Sequence, residues 1–408
     1  MGLVQKKEES LTVCGGRPVR ETLLPYGHQW IDDEDINSVI EVLRSDWITT
    51  GPKVAEFEEA FAAYVGSKYA VSFSSGTGAL HGASFAAGLG PGDEAITTPM
   101  TFCATANCVL YQGAKPVFAD ICPDTLNIDP DEIKRHITQH TKAVLPVDYA
   151  GHPADLQPIL ELAGSHGLVV IEDACHALGA EYRGRRVGSI SHMTVFSFHP
   201  VKHITTGEGG MVTTDDARLA RQLRMFRNHG IDSDARERQA NGHWSYEMLA
   251  LGYNYRLTDI GCALGISQLR KLDANLARRR EIARQYTAAF QKIPRVIPPT
   301  IRPAVNPAWH LYPIRLDRSK LRVDRSEIFS SLRAEGLGVN VHYIPVHLHQ
   351  YYRERLGHRT GEYPFAEDAY RQLISLPIFH GMKQQDIEDV LGAVKKVTAY
   401  YEERSLSE

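Results

Sequence analysis

The sequence predicts an α/β protein, a large domain around a mostly parallel sheet followed by a smaller α+β C-terminal domain, and three observations carry that prediction. Short apolar runs alternate with helical periodicity from about residue 70 to residue 175, the order that builds βαβ units. Leu168-Val169-Val170-Ile171 is apolar without interruption, as a strand covered on both faces requires. The proline-rich stretch from Ile293 to Pro307 then separates this pattern from a shorter one. The expected division is an N-terminal segment over 1–25, a large domain over 26–290 and a small domain over 291–408.

Composition narrows the function classes. The 408 residues suffice for a large core, and a formal net charge of −4 with mixed signs leaves no basic footprint for nucleic acid. Six cysteines (Cys14, Cys103, Cys108, Cys122, Cys175, Cys262) have neither CxxC spacing nor the density of a disulfide scaffold, which favours a reducing compartment. The opening MGLVQKKEESLTVCGGR lacks the apolar core of a signal peptide, and Lys6 stands where a myristoylated Gly2 needs Ser or Thr. No apolar run approaches membrane-spanning length. The expectation is a soluble cytoplasmic protein without a nucleic-acid or membrane partner.

Asp32-Asp33-Glu34-Asp35 places acids at the start of a helix reaching about Leu43, as the helix dipole favours. Arg44 to Pro52 breaks it, and a second helix follows from about Lys53 to Val65. A short strand near Val71 leads through Ser75-Gly76-Thr77-Gly78 to a helix expected from Ala79 to Ala87. Small residues there let the backbone close on an anion, although Ser75 also makes an ordinary cap. Strands near residues 94–97, 116–119 and 143–147, with helices near 102–111 and 155–165, complete the βα repeats. Beyond Asp173, two more strands are expected near 194–198 and 211–214, around a glycine turn at Gly207 to Gly210. One long helix is expected to end near Phe290, with Lys271, Arg278, Arg279 and Arg280 on a solvated face. In the C-terminal domain His342, His347 and His349 fall within eight residues, but no carboxylate or cysteine is spaced to complete a site, so no metal is expected.

Two stretches carry chemistry. Lys202 sits in a short loop between strands, after Pro200 and before the glycine turn, where partial desolvation lowers the pKa of an amine toward that of a nucleophile. Asp173 ends a buried parallel strand, the edge at which α/β sheets collect ligand-binding groups. A lysine able to form an imine and a carboxylate able to pair with a pyridinium nitrogen are the least that pyridoxal phosphate chemistry needs from a protein.

The stretches SSGTGAL, TPMTFCATAN, IEDACHALGA, FSFHPVKHITTGEGG and GYNYRLTDI, in this order, resemble the sugar aminotransferases of the DegT/DnrJ/EryC1/StrS family over about Tyr26 to Pro377. The resemblance implies the aspartate aminotransferase-like fold, PLP-dependent transferase fold type I, with pyridoxal 5'-phosphate as cofactor and pyridoxamine phosphate as its intermediate form. Carried over by motif, Lys202 would be covalent anchor and base, and Asp173 the partner of the pyridine nitrogen. His176 would meet the ring hydroxyl, Phe102 would cover the ring face, and Gly76, Thr77 and Ser197 would hold the phosphate. Asn254 would reach in from the other subunit of a homodimer with shared active sites. Tyr26, Asp46, Trp47, Ile48, Thr49, Ser75, His342, Tyr343 and Pro345, with Ser197 and Asn254, would line the nucleotide-sugar pocket.

FSFHPVK, TTGEGG, VDYAGHP and VHYIP are most similar to family members that aminate C4 of a UDP-linked 4-keto-6-deoxy-N-acetyl hexose in pseudaminic acid biosynthesis, with glutamate as the implied donor. Lysine at 202 separates the chain from the family's dehydratases, which have histidine there. Two alternatives stay open: a 3- or 4-aminotransferase of a dTDP-linked keto sugar, and a regulator that binds the cofactor without turnover. A nicotinamide dehydrogenase is disfavoured, because no GxGxxG follows a first strand.

Overall fold

The computed structural model describes residues 10–233, 238, 242 and 244–403, so Gly2 and Lys6 lie outside the described residues. Helix α1 (Asp33–Leu43) begins as the acidic run predicts: Asp32 accepts from the amides of Glu34 and Asp35, and Asp35 accepts from that of Asp32. Proline opens α2 (Pro52–Val65), and Gly66 closes it at φ +82°. Next come β1 (Tyr69–Phe73), α3 (Gly76–Ala86), β2 (Glu94–Thr97), α4 (Ala104–Tyr111), β3 (Lys115–Phe118) and α5 (Pro130–His136). They are followed by β4 (Thr141–Leu145), α6 (Leu156–His166), β5 (Val169–Asp173), β6 (Glu181–Tyr182), β7 (Arg185–Arg186), β8 (Met193–Ser197), β9 (Gly210–Thr214) and α7 (Ala217–Phe226). The C-terminal part contains α8 (Asp259–Arg270), α9 (Leu272–Phe290), β10 (Val296–Ile297), β11 (Val305–Asn306), β12 (Tyr312–Leu316) and α10 (Arg325–Ala334). The last elements are α11 (Gln350–Leu356), α12 (Pro364–Gln372), β13 (Leu373–Leu376) and α13 (Gln384–Tyr400).

Seven strands form the main sheet in the order β1-β9-β8-β5-β4-β2-β3, and only β9 runs against its neighbours. Alternate side chains face opposite sides of the sheet, and both faces are covered, so most strand residues are buried. Phe73, Val195 and Val212 pack with α3 and α7, while Phe196 and Met211 meet Phe57 and Phe61 of α2. A three-stranded sheet, β10-β12-β13, packs on α9, α10 and α13 through a second core with Tyr286, Phe290, Tyr312 and Val394.

Several expectations are corrected. Helix α3 starts at Gly76, three residues early, because Ser75 accepts from the Gly78 amide at 3.0 Å and so caps it there. Phe102 precedes α4 and is exposed. The long helix is two helices, α8 and α9, meeting at Lys271. The proline-rich linker contains β10 and β11, which pair with β12 and β6. The basic run is not a solvated face. Arg279 is 1% exposed, Lys271 pairs with Asp32 and Asp35 at 2.6 Å each, and Arg278 and Arg280 donate to the carbonyls of Met382 and Gly179. A charge pattern along a helix does not reveal which distant segments fold over it.

Candidate active site

Because β1 and β8 both run antiparallel to β9, the carboxyl ends of β1, β8, β5 and β4 share one edge of the sheet. Asp173 and Ser197 end β5 and β8 at that edge, and the loops leaving it carry Ser75, Asp148, His176 and Lys202. This is the edge where a parallel sheet gathers ligands.

Asp173 is 6% exposed, and both of its oxygens are held: Thr105 Oγ1 donates to Oδ2 at 2.7 Å, and the Cys175 amide donates to Oδ1 at 3.2 Å. Lys202 is half-buried, and its Nζ stands 3.3 Å from Nε2 of His310. Burial lowers the pKa of this amine, opposed by Asp173 and helped by the charge of Arg279. The imidazoles of His176 and His310 lie 4.5 Å apart, and burial followed by the charge of Lys202 holds both well below the ordinary histidine range. His176 Nε2 meets the Tyr343 hydroxyl at 3.0 Å, and the Phe102 ring lies 6.1 Å from that of Tyr343.

At the start of α3, a Cβ on Gly76 would come within 2.9 Å of the Ser197 Cβ. Glycine therefore lets the helix start close on Ser197, with half-buried Thr77 beside it. First-turn amides have no intrahelical acceptor and favour an anion.

The remaining residues of the expected sugar pocket fall into two groups. The ring of Tyr26 lies 5.4 Å from that of His342, tilted by 53°, and a Cβ on neighbouring Gly27 would meet Val201 at 3.3 Å, next to Lys202. His342 is buried against Ser375 Oγ at 2.9 Å, its carbonyl accepts from the Tyr149 hydroxyl, and Pro345 is buried. The second group is exposed: Asp46, Trp47, Ile48 and Thr49 form the turn after α1, with Thr49 bridged to Thr258, and Asn254 bridges to Asn228. Thr49 also lines a separate cleft of about 970 Å³ with Glu58, Arg227 and Arg256. Of the three histidines near 345, His347 pairs with Glu367 at 3.1 Å, a carboxylate 20 positions away. Among the described residues no cluster of three or more His, Cys, Asp or Glu is placed to hold a metal.

The residues fit pyridoxal phosphate. A partly desolvated amine, a fixed carboxylate, a glycine-shaped helix start beside a serine, and a buried His176 Nδ1 without a hydrogen-bond partner supply one complementary group for each polar part of it. Sequence reasoning missed Thr105, Tyr149, His310 and Arg279. Thr105 lies inside TPMTFCATAN, but nothing local marks it as the partner of Asp173, and His310 and Arg279 gave no local signal.

A family model for the DegT/DnrJ/EryC1/StrS aminotransferases matches residues 29–395. The chain is 45% identical over 380 residues to the spore coat polysaccharide biosynthesis protein SpsC of Bacillus subtilis, spanning 93% of this chain and 98% of that one. PseC of Helicobacter pylori, an aminotransferase involved in the biosynthesis of pseudoaminic acid, superposes with a TM-score of 0.86 at 34% identity, over 93% of this chain and 100% of that one. The PLP form of the putative sugar aminotransferase Spr1654 from Streptococcus pneumoniae gives 0.86 at 30% identity, over 93% and 99%. The fold is PLP-dependent transferase fold type I, as expected.

Proposed function

This chain belongs to the DegT/DnrJ/EryC1/StrS aminotransferase family as a sugar aminotransferase, and we propose that it moves an amino group from glutamate to C4 of a UDP-linked 4-keto-6-deoxy-N-acetyl hexose. One observation carries the reading. The half-buried amine of Lys202, in the loop after β8, and the fixed carboxylate of Asp173, at the end of neighbouring β5, share the carboxyl edge of the sheet. The likeness to PseC supports the pseudaminic acid sugar. The higher identity to SpsC, a spore coat polysaccharide biosynthesis protein, supports a different sugar in that position, and the second reading is a 3- or 4-aminotransferase of a dTDP-linked keto sugar.

Bound here, pyridoxal phosphate supplies an electron sink next to a carbon that exchanges C=N bonds with amines. Lys202 would be the residue to hold it. With its Nζ free, Lys202 would take a proton from the donor's α-carbon, and in the second half-reaction it would deliver one to C4 of the sugar. Asp173, held by Thr105 and Cys175, would pair with the ring nitrogen. His176 would meet the ring hydroxyl, Phe102 the ring face, and Gly76, Thr77 and Ser197 the phosphate. Tyr26, Ser75, His342, Tyr343 and Pro345 would orient the nucleotide sugar, whose binding energy away from C4 positions the carbon that reacts. Asn254 and the exposed turn from Asp46 to Thr49 would serve the site of a second copy in a homodimer.

The test is a visible absorbance spectrum of the purified protein, followed by glutamate and then by each keto sugar. A cofactor band that bleaches with glutamate and recovers only with the UDP-N-acetyl sugar is expected. Recovery with the dTDP sugar alone selects the second reading, and a band that no amino donor bleaches overturns transamination.

A further inference from the structure

The geometry points to His310 as a positioning residue that orients the amine of Lys202, a role that rests on the reading of Lys202 as the reactive amine. Its Nε2 stands 3.3 Å from Nζ. The ring is 5% exposed, and among the described residues Nδ1 has no hydrogen-bond partner, so the contact with Lys202 is the one polar interaction of this buried imidazole there. A histidine kept for packing alone is a poor choice at such a place, because a buried nitrogen without a partner is costly. A neutral ring suits both states of the amine. Nε2 with a lone pair accepts from a protonated Nζ, Nε2–H donates to an unprotonated one, and nothing at Nδ1 fixes the tautomer.

The backbone beneath His310 is built around this placement. Trp309 turns the chain at φ +53°, the left-handed region that residues other than glycine seldom occupy. Gly151 packs against the turn so closely that a Cβ there would stand 2.7 Å from the Trp309 nitrogen and 3.0 Å from that of His310. The guanidinium of Arg279 donates to the carbonyls of Trp309 at 3.2 Å and His310 at 3.3 Å, and to Asn275 Oδ1 at 2.9 Å. No described carboxylate pairs with Arg279, so its charge remains in the core and disfavours a second cation at Lys202. His203 closes the set, its Nε2 donating to the Ala308 carbonyl at 3.1 Å. Arg279, Gly151 and the 308–310 turn thus form one support whose projecting group is the His310 imidazole.

The experiment follows covalent capture rather than turnover. Cofactor-free protein is mixed with pyridoxal 5'-phosphate, quenched with borohydride at set times, and the peptide carrying Lys202 is weighed by mass spectrometry. His310→Phe keeps a flat ring but no acceptor, and its capture rate is expected to fall about tenfold or more with an unchanged denaturation midpoint. His310→Gln, whose amide reaches the Nε2 position, is expected to return the rate to within about threefold of the parent. If the Phe variant does not fold, His310→Leu takes its place against Gln, which has similar bulk. Capture by the Phe or Leu variant at the parent rate overturns the inference, as does an equal loss in the Gln variant. Absence of capture at Lys202 in the parent protein removes the reading on which the inference rests, and that result is distinct from both.

Discussion

Burial lowers the pKa of the Lys202 amine, Asp173 works against that, and Arg279 works with it. At the scale of single residues, reactivity is therefore set by neighbours that chain order does not bring close. Asp173 illustrates this, because its Oδ2 takes a hydrogen bond from Thr105, 68 positions earlier. Replacing Thr105 with valine keeps the shape and removes the hydroxyl's bonds to Thr101 Oγ1 and Asp173 Oδ2, the one to the charged group being worth about 1.5–3 kcal/mol. The expected result is a single-turnover rate with glutamate about tenfold slower or more, with a lowered urea midpoint. An unaltered rate would show that the Cys175 amide alone suffices to hold the carboxylate. The wording around Lys202 and Asp173 made both residues legible in the sequence. Thr105 and His310 were not, since a threonine in a helix start and a histidine after a proline-rich stretch are ordinary until packing places them.

Among elements, helix α3 was predicted and α9 was misjudged, for reasons of the same kind. Ser75 caps α3 by a contact three residues away, so local sequence contains the signal. The basic run of α9 depends on Trp309, Ile378, Met382 and Gly179, and no local signal reports them. The exposed bridge from Asn228 to Asn254, and the turn from Asp46 to Thr49 next to Thr258, are the elements proposed to complete a second copy's site. Two variants test that proposal together. Lys202→Ala and Asn254→Ala proteins should each be weak alone, and mixing them after subunit exchange should restore up to about a quarter of parent activity, because one site in the mixed dimer is then intact. No recovery despite proven exchange would mean that each site is built from one chain.

For the whole molecule, the main sheet, the β10-β12-β13 sheet and their cores leave many histidines inside, and that shapes its response to acid. Burial brings His81 and His342 from 6.5 down to about 4. Each binds a proton more readily in the unfolded chain, so their stabilisation is complete above about pH 6.5 and is lost as pH falls through about 4, at about 3 kcal/mol for each. His176, His203 and His310 add to this in the same direction. Urea midpoints measured between about pH 7.5 and 4.5 should decline steadily below about pH 6.5, and a flat profile would count against buried neutral histidines. The sequence by itself determined the α/β class, the alternation of strands with helices and the capped helices, and it pointed to Lys202, Asp173 and His176, because periodicity, caps and motifs are properties of neighbouring residues. Only the tertiary structure decided that Arg279 is buried, that Thr105 holds Asp173 and that His310 faces Lys202. Those are contacts between segments far apart in the chain, and nothing in either segment alone encodes which partner the fold will bring to it.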